Sequence, residues 1–171
     1  MSKVYRVYVS PEVCIGCGLC RVYCQTEHSL SKDIIKAFKR ETPHPLPRIR
    51  VERNEEVCFP IQCRHCTEPW CVYFCLTGAM RKNQATGIVT VDSEKCIGCW
   101  NCVLACPYGA LTRDISNSLV VKCDLCPDQD IPVCVATCPN EALVLSVDDE
   151  ADYPSQVEND CHNRLRRRKL A

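Results

Sequence analysis

Apolar positions in this chain come in short runs, divided by loops that are rich in cysteine. Residues 4–9 read Val-Tyr-Arg-Val-Tyr-Val, and their β-branched and aromatic content predicts a short strand. Gly87–Asp92 reads as a second strand of the same kind, and Arg48–Glu52 with Val57–Ile61 as a hairpin. Residues 31–40 carry Ile34, Ile35 and Phe38 at helical spacing after Ser31. That pattern predicts a short amphipathic helix capped by Ser31, its apolar face packed on the lobe below or docked on a partner. Pro43, Pro45 and Pro47 break the chain before the hairpin. The elements mix helix and strand, and the expected fold class is α+β. No run approaches the length of a transmembrane helix, which argues against direct membrane insertion.

Composition changes the picture. Aromatic residues make up only 6% of 171 residues, while cysteines number 18. A core so poor in large side chains needs disulfides or metal to hold it. The first residues contain no apolar leader segment and no twin arginine. A cytoplasmic protein is expected, and there thiols stay reduced and bind metal. Formal net charge is zero, which gives no argument for nucleic acid as a partner.

The cysteines are ordered. Cys96, Cys99, Cys102 and Cys106 stand in a C-x2-C-x2-C-x3-C-P run, the spacing by which ferredoxins bind iron–sulfur clusters. In that pattern three thiolates close on one cluster, and the fourth ligates another. The fourth is expected here to begin a helix. Cys14, Cys17, Cys20 and Cys24 repeat the spacing, with Gln25 in place of the proline. Residues 7–17 align without gaps to residues 89–99, so strand, turn and loop recur as a duplicated ferredoxin half. Cys63, Cys66, Cys71 and Cys75 form a variant with two residues added before the third cysteine. Cys123, Cys126, Cys134 and Cys138 form another, with a seven-residue loop carrying Asp128 and Asp130. Cys75, Cys106 and Cys138 each open a similar six-residue turn that leads into a strand. Sixteen thiolates as iron ligands would hold four [4Fe–4S] clusters. Zinc is the rival for C-x2-C pairs, but the triple spacing and the two Cys-Pro steps favour iron.

Other candidates are weaker. Cys58 lies in an apolar strand and reads as a buried, inert thiol; Cys161 reads as a free thiol in the tail. His65, between two ligands, would shape its loop or tune a potential through a hydrogen bond. His28, His44 and His162 are isolated and default to the surface. Trp70 and Trp100 read as packing over clusters that need dry walls. Residues 148–160 hold six acidic side chains, and Arg164, Arg166, Arg167, Arg168 and Lys169 make a basic end. Such a tail is solvated or wraps a neighbouring subunit. No dinucleotide loop, nucleophile elbow or phosphate loop is present, so no catalytic residue is assigned.

Residues 5–145 resemble the four-cluster iron–sulfur subunits of modular redox enzymes, the family that includes the electron-transfer subunit of dimethyl sulfoxide reductase. The resemblance implies that motif one pairs with motif four, and motif two with motif three. Cys14, Cys17, Cys20 and Cys138 would hold one cluster, and Cys24, Cys123, Cys126 and Cys134 its neighbour. Cys63, Cys66, Cys71 and Cys106 would hold the third, and Cys75, Cys96, Cys99 and Cys102 the fourth. Cys99 stands where some members carry tryptophan, so a full cubane is expected there. Two ferredoxin-like lobes follow, each with two [4Fe–4S] clusters: residues 1–30 with 112–147, and residues 60–111. Residues 31–59 would be an insertion and hairpin, and 148–171 a charged tail.

Within that family, residues 62–66 and 96–100 look most like two groups. One is the iron–sulfur protein of nickel carbon monoxide dehydrogenase; the other is the small polyferredoxin subunit of tungsten aldehyde oxidoreductases. The resemblance implies a non-catalytic subunit that relays electrons from a tungsten, molybdenum or nickel–iron enzyme. A flavoprotein that reduces NAD, a hydrogenase or a further carrier would accept them, and the clusters would sit at the low end of the potential range. Four clusters in line would also allow a filamentous complex. The alternatives are a free soluble polyferredoxin and, behind it, a multi-zinc interaction protein.

Overall fold

The computed structural model describes residues 3–54 and 57–149. Thirteen elements follow in order: β1 (Lys3–Val9), α1 (Leu19–Glu27), α2 (Ile34–Lys39), β2 (Ile49–Asn54), β3 (Val57–Gln62), α3 (Trp70–Tyr73), β4 (Met80–Lys82), β5 (Val89–Val91), α4 (Asn101–Ala105), β6 (Thr112–Asp114), β7 (Leu119–Val121), α5 (Val133–Ala136) and β8 (Leu143–Asp149). Helix and strand are mixed, as the apolar pattern predicts. Among the described residues no helix is long and apolar enough to cross a membrane.

The strands form four antiparallel pairs, β1–β8, β2–β3, β4–β5 and β6–β7. Three are hairpins between neighbours. The fourth joins the first strand to the last, with Val7 opposite Leu145 and Val9 opposite Leu143. Val7 and Leu143 are buried in that ladder. Arg6 is buried as well, and its guanidinium donates to Thr67 Oγ1 at 2.9 Å, which ties β1 to the second cysteine loop. Gln62 Nε2 donates to the Val7 carbonyl at 3.1 Å from the end of β3. Side-chain hydrogen bonds thus join ladders that share no backbone pairing.

Two apolar clusters form between these pieces. One gathers Val7, Ile49, Leu125 and Leu143 around Cys20, Cys24, Cys63, Cys123 and Cys134. The other gathers Met80, Val89, Leu111 and Val120 around Cys71 and Cys102. Eight of the twenty buried apolar residues described are cysteines. The sulfur sites therefore make up much of what would otherwise be a hydrocarbon core.

The cap expected for α2 is corrected. Its N-cap is Asp33, whose carboxylate accepts from the Lys36 N–H at 2.8 Å. Ser31 instead donates to Glu41, which also accepts from the backbone N–H of Leu30 and Ser31. Ile34, Ile35 and Phe38 are all exposed, and Ala37 is the residue that α2 buries. Expected Gly87–Asp92 shortens to Val89–Val91, because Gly87 N–H closes a turn onto the Asn83 carbonyl.

Candidate metal centre

Each motif folds by the same local device. The residue before the second cysteine takes a positive φ: +67 at Gly16, +46 at His65, +66 at Gly98 and +65 at Leu125. This left-handed step curls the loop so that successive thiols face inward. A short helix then carries the third cysteine: Cys20 in α1, Cys71 in α3, Cys102 in α4 and Cys134 in α5. The fourth cysteine does not begin a helix, which corrects the expectation. Cys75, Cys106 and Cys138 follow the ends of α3, α4 and α5, while Cys24 lies one turn after Cys20 within α1. Helices of four or five residues cannot extend past the thiol because a turn begins there. Gly78 N–H bonds the Cys75 carbonyl, and Gly109 N–H the Cys106 carbonyl. The strand expected after each turn is present as β4, β6 and β8.

The structure brings motif cysteines from distant parts of the chain together. A cavity with about 340 Å³ of atom-free space, open to solvent, is lined by Cys14, Cys17, Cys20 and Cys138. A second, about 360 Å³, is lined by Cys63, Cys66, Cys71 and Cys106 with Trp70, Val89 and Leu111. Cys102 has the thiols of Cys75, Cys96 and Cys99 around it. Cys134 has those of Cys123, Cys24 and Cys126 near it, and also that of Cys20.

Burial pushes these thiols up: Cys20, Cys102 and Cys126 to about 11, and Cys71 and Cys123 to about 12. Such sulfurs ionise at neutral pH only against a cation placed among them, so metal binding must release their protons. Cys75 differs. Burial raises it, but the N–H groups of Met80, Thr77 and Ala79 outweigh that and hold it below the ordinary thiol range. Backbone N–H groups also reach sulfur from Arg48 to Cys24 at 3.2 Å, from Ala142 to Cys138 at 3.2 Å and from Leu125 to Cys123 at 3.4 Å.

These residues fit a cluster better than a single ion. A zinc ion in a four-thiolate cage is in contact with all its sulfurs at about 2.3 Å and leaves no internal space. Each of the two cavities here is instead lined by four cysteines drawn from two motifs, the exchange of ligands by which ferredoxin spacing holds cubane clusters. Buried polar atoms agree. His65 is fully buried and its Nδ1 accepts from Val89 N–H at 3.0 Å, so the ring proton is on Nε2. His65 Nε2 and Trp100 Nε1 have no protein partner among the described residues. Both are donors beside cysteine loops, suited to a sulfur acceptor.

Several side chains behave otherwise than their sequence positions imply. His28 is not a surface residue: its Nε2 lies 3.2 Å from Asp124 Oδ1, and its Nδ1 lies 2.7 Å from the Cys24 carbonyl. Burial lowers it, but Asp124 and Cys24 raise it to about 9. Asp124 also pairs with Arg48, and the two cationic partners overcome burial to hold its carboxyl well below the usual range. His28, Asp124 and Cys126 lie close enough to share a cation, yet Asp124 is already committed to two positive partners. Cys58 is half-buried, not enclosed; its Sγ accepts from Arg53 Nε at 3.4 Å and touches Gly16. Trp70 lines the second cavity while half its surface faces solvent, in contact with Tyr73 and Phe74. His44 is exposed as expected. Cys161, His162 and the charged tail beyond 149 lie outside the described residues. Sequence reasoning missed Lys122, Arg48 and Asp124, whose partners come from distant loops.

Thiol-lined cavities, positive-φ loops and orphaned N–H donors define an iron–sulfur protein. Comparison with known proteins narrows the class. Residues 55–148 match the 4Fe-4S dicluster domain, and residues 11–27 a 4Fe-4S binding domain. An iron-sulfur protein of Rhodospirillum rubrum is 35% identical over 153 residues, spanning 80% of this chain and 79% of that protein. Electron transport protein HydN of Escherichia coli (strain K12) is 37% identical over 148 residues, spanning 77% of this chain and 81% of HydN. The B subunit of anaerobic dimethyl sulfoxide reductase from the same strain is 32% identical over 160 residues, spanning 88% of this chain and 77% of that subunit. The chain belongs to the 4Fe-4S dicluster family, as a non-catalytic electron-transfer subunit of the kind found in dimethyl sulfoxide reductase, and it binds several [4Fe–4S] clusters.

Proposed function

We propose that the chain holds four [4Fe–4S] clusters and relays single electrons between a catalytic oxidoreductase subunit and a separate acceptor in the cytoplasm. The ligand sets are Cys14, Cys17, Cys20 and Cys138; Cys24, Cys123, Cys126 and Cys134; Cys63, Cys66, Cys71 and Cys106; and Cys75, Cys96, Cys99 and Cys102. Two ferredoxin-like lobes carry them, with motifs one and four in the first and motifs two and three in the second. The observation that carries this reading is the exchange of fourth cysteines: Cys138 shares a cavity with the first three thiols of motif one, and Cys106 with those of motif two. Motifs that lend ligands to one another bring their clusters side by side, which suits electron transfer and has no use in isolated structural metal sites.

The clusters supply one-electron chemistry. The chain's own residues bind them, exclude water and set their potentials through N–H donors and charge. At the catalytic end we place a tungsten aldehyde oxidoreductase or a nickel carbon monoxide dehydrogenase. At the other end we place a flavoprotein that reduces NAD, or a hydrogenase. The catalytic assignment rests on the likeness of residues 62–66 and 96–100 to iron–sulfur subunits of those enzymes.

Anaerobic affinity purification from native cells, with metal analysis, tests the reading. About sixteen iron atoms per chain are expected from four cubanes, with tungsten, molybdenum or nickel in a co-purifying large subunit. Iron alone, with no partner, would overturn the subunit assignment in favour of a free carrier. Zinc in place of iron would overturn the cofactor as well.

A further inference from the structure

Lys122 follows β7 and precedes the first thiol of motif four, and it is only 3% exposed. An ammonium group that deep is costly unless opposite charge lies close by. Its Nζ donates to the carbonyl oxygens of Val89 and, at 2.6 Å, Cys123. Among the described residues no carboxylate pairs with it. Thiols flank it on both sides: Val89 lines the cavity that also holds Cys63 and Cys71, and Cys123 is the next residue in the chain. Val89 extends the contact, since its N–H is bound by His65 between Cys63 and Cys66 while its carbonyl holds Lys122. Lys122 therefore stands at the junction of two thiol groups, one containing Cys63 and Cys71, the other Cys123 and Cys134.

We propose that Lys122 is a positioning residue for electron passage between these two cluster sites, a fixed cation that stabilises the added electron on either side of the junction. The proposal rests on the four-cluster reading above. Reduction adds one negative charge to a cluster that already carries net negative charge from its thiolates. A buried positive charge nearby favours the reduced form, and little solvent is present to screen it. In the transfer itself one cluster loses an electron and its neighbour gains it. One electron moves, and no bond is made or broken. The carbonyls of Val89 and Cys123 fix the ammonium so that both sites feel it. Without it, electrons would cross the junction at lower potential than they travel within either pair.

The test uses full-length protein purified anaerobically with its clusters, as wild type, Lys122→Gln and Lys122→Arg. Iron content comes first, then redox titration followed by electron paramagnetic resonance. In Lys122→Gln, with iron unchanged, the reduced-to-oxidised ratio of two of the four clusters at fixed solution potential should fall about tenfold. That equals about 59 mV for a one-electron couple. The other two should not move, and Lys122→Arg should restore the first pair. Unchanged ratios in Lys122→Gln, or an equal shift at all four clusters, would overturn the inference and show a purely structural role. If Lys122→Gln loses iron, wild-type protein labelled with ¹⁵N-lysine decides by pulsed resonance in the reduced state. A lysine nitrogen coupled to the flanking clusters upholds the assignment; its absence overturns it. Fewer than four clusters in wild type would instead defeat the underlying reading, and the iron count alone reveals that case.

Discussion

Gly98 and Gly18 both adopt positive φ, +66 and +76, but their surroundings differ. A Cβ on Gly18 would meet nothing within 4 Å, whereas one on Gly98 would run into the carbonyl of Ser118. Gly18→Ala should therefore cost only the backbone strain of about 1 kcal/mol. Gly98→Ala should cost roughly 1–3 kcal/mol more from overpacking against backbone. Thermal loss of cluster absorbance would check the order, and equal midpoints would refute it. Charge gives a second expectation at this scale. His28, raised to about 9, stabilises the fold fully below its ordinary value near 6.5, and that support fades as pH rises through 9. Asp124, held low, contributes above the ordinary carboxylate range and loses its effect in acid. Asp124→Asn should remove about 2 kcal/mol at neutral pH and flatten the alkaline decline, as read from denaturation across pH. A decline unchanged in the variant would show that His28 is not its source. The cysteine motifs were legible one by one because their spacing is local. His28, Asp124 and Lys122 were not, because His28 lies 96 residues from Asp124 and Lys122 lies 33 from Val89. No period along the chain encodes such pairs.

Among the elements, α2 separates two readings that its apolar pattern left open. Its one buried residue is Ala37, and Ile35 is 61% exposed. Ile35→Asp should change the stability of the isolated chain by less than about 0.5 kcal/mol. If α2 docks a partner, the same substitution should release that partner from an anaerobic pull-down. Loss of stability without loss of partner would return α2 to a packing role. The strands were read closely from alternation: β1 starts one residue before its expected span, and β2–β3 form where Arg48–Glu52 and Val57–Ile61 were expected. The short helices were misplaced for a physical reason. Four residues of α3 or α5 are too few to show a period, and what ends them is a turn closed by backbone N–H groups. His65 and Leu125 show the same limit, since they take a left-handed φ where Gly16 and Gly98 made it easy. Only the shared spacing of the cysteines suggests that four loops with different residues turn alike.

At the scale of the molecule, cysteine replaces hydrocarbon. With eight of twenty buried apolar positions occupied by thiols, removing iron should remove the reason for these loops to converge. Anaerobic chelation after mild oxidation should abolish most far-ultraviolet circular dichroism, and a spectrum unchanged after complete iron loss would refute this. Composition alone points to that dependence, since few aromatics and many cysteines leave a small hydrocarbon core. The pairing of the first strand with the last was not legible, because the two lie at opposite ends of the described chain and no local pattern links them. That ladder has a consequence for the order of events during synthesis. Motifs two and three lie within residues 63–106, whereas the first cavity needs Cys138 and the β1–β8 pair needs residues up to Asp149. On a translating ribosome the middle of the chain can be complete while β1 still waits for its mate. A nascent polypeptide stalled before β8 has cleared the exit tunnel would carry its inner metal before its outer metal. Delivery of iron would then run from the centre of the polypeptide towards its ends, and the growing chain itself would set the sequence of loading.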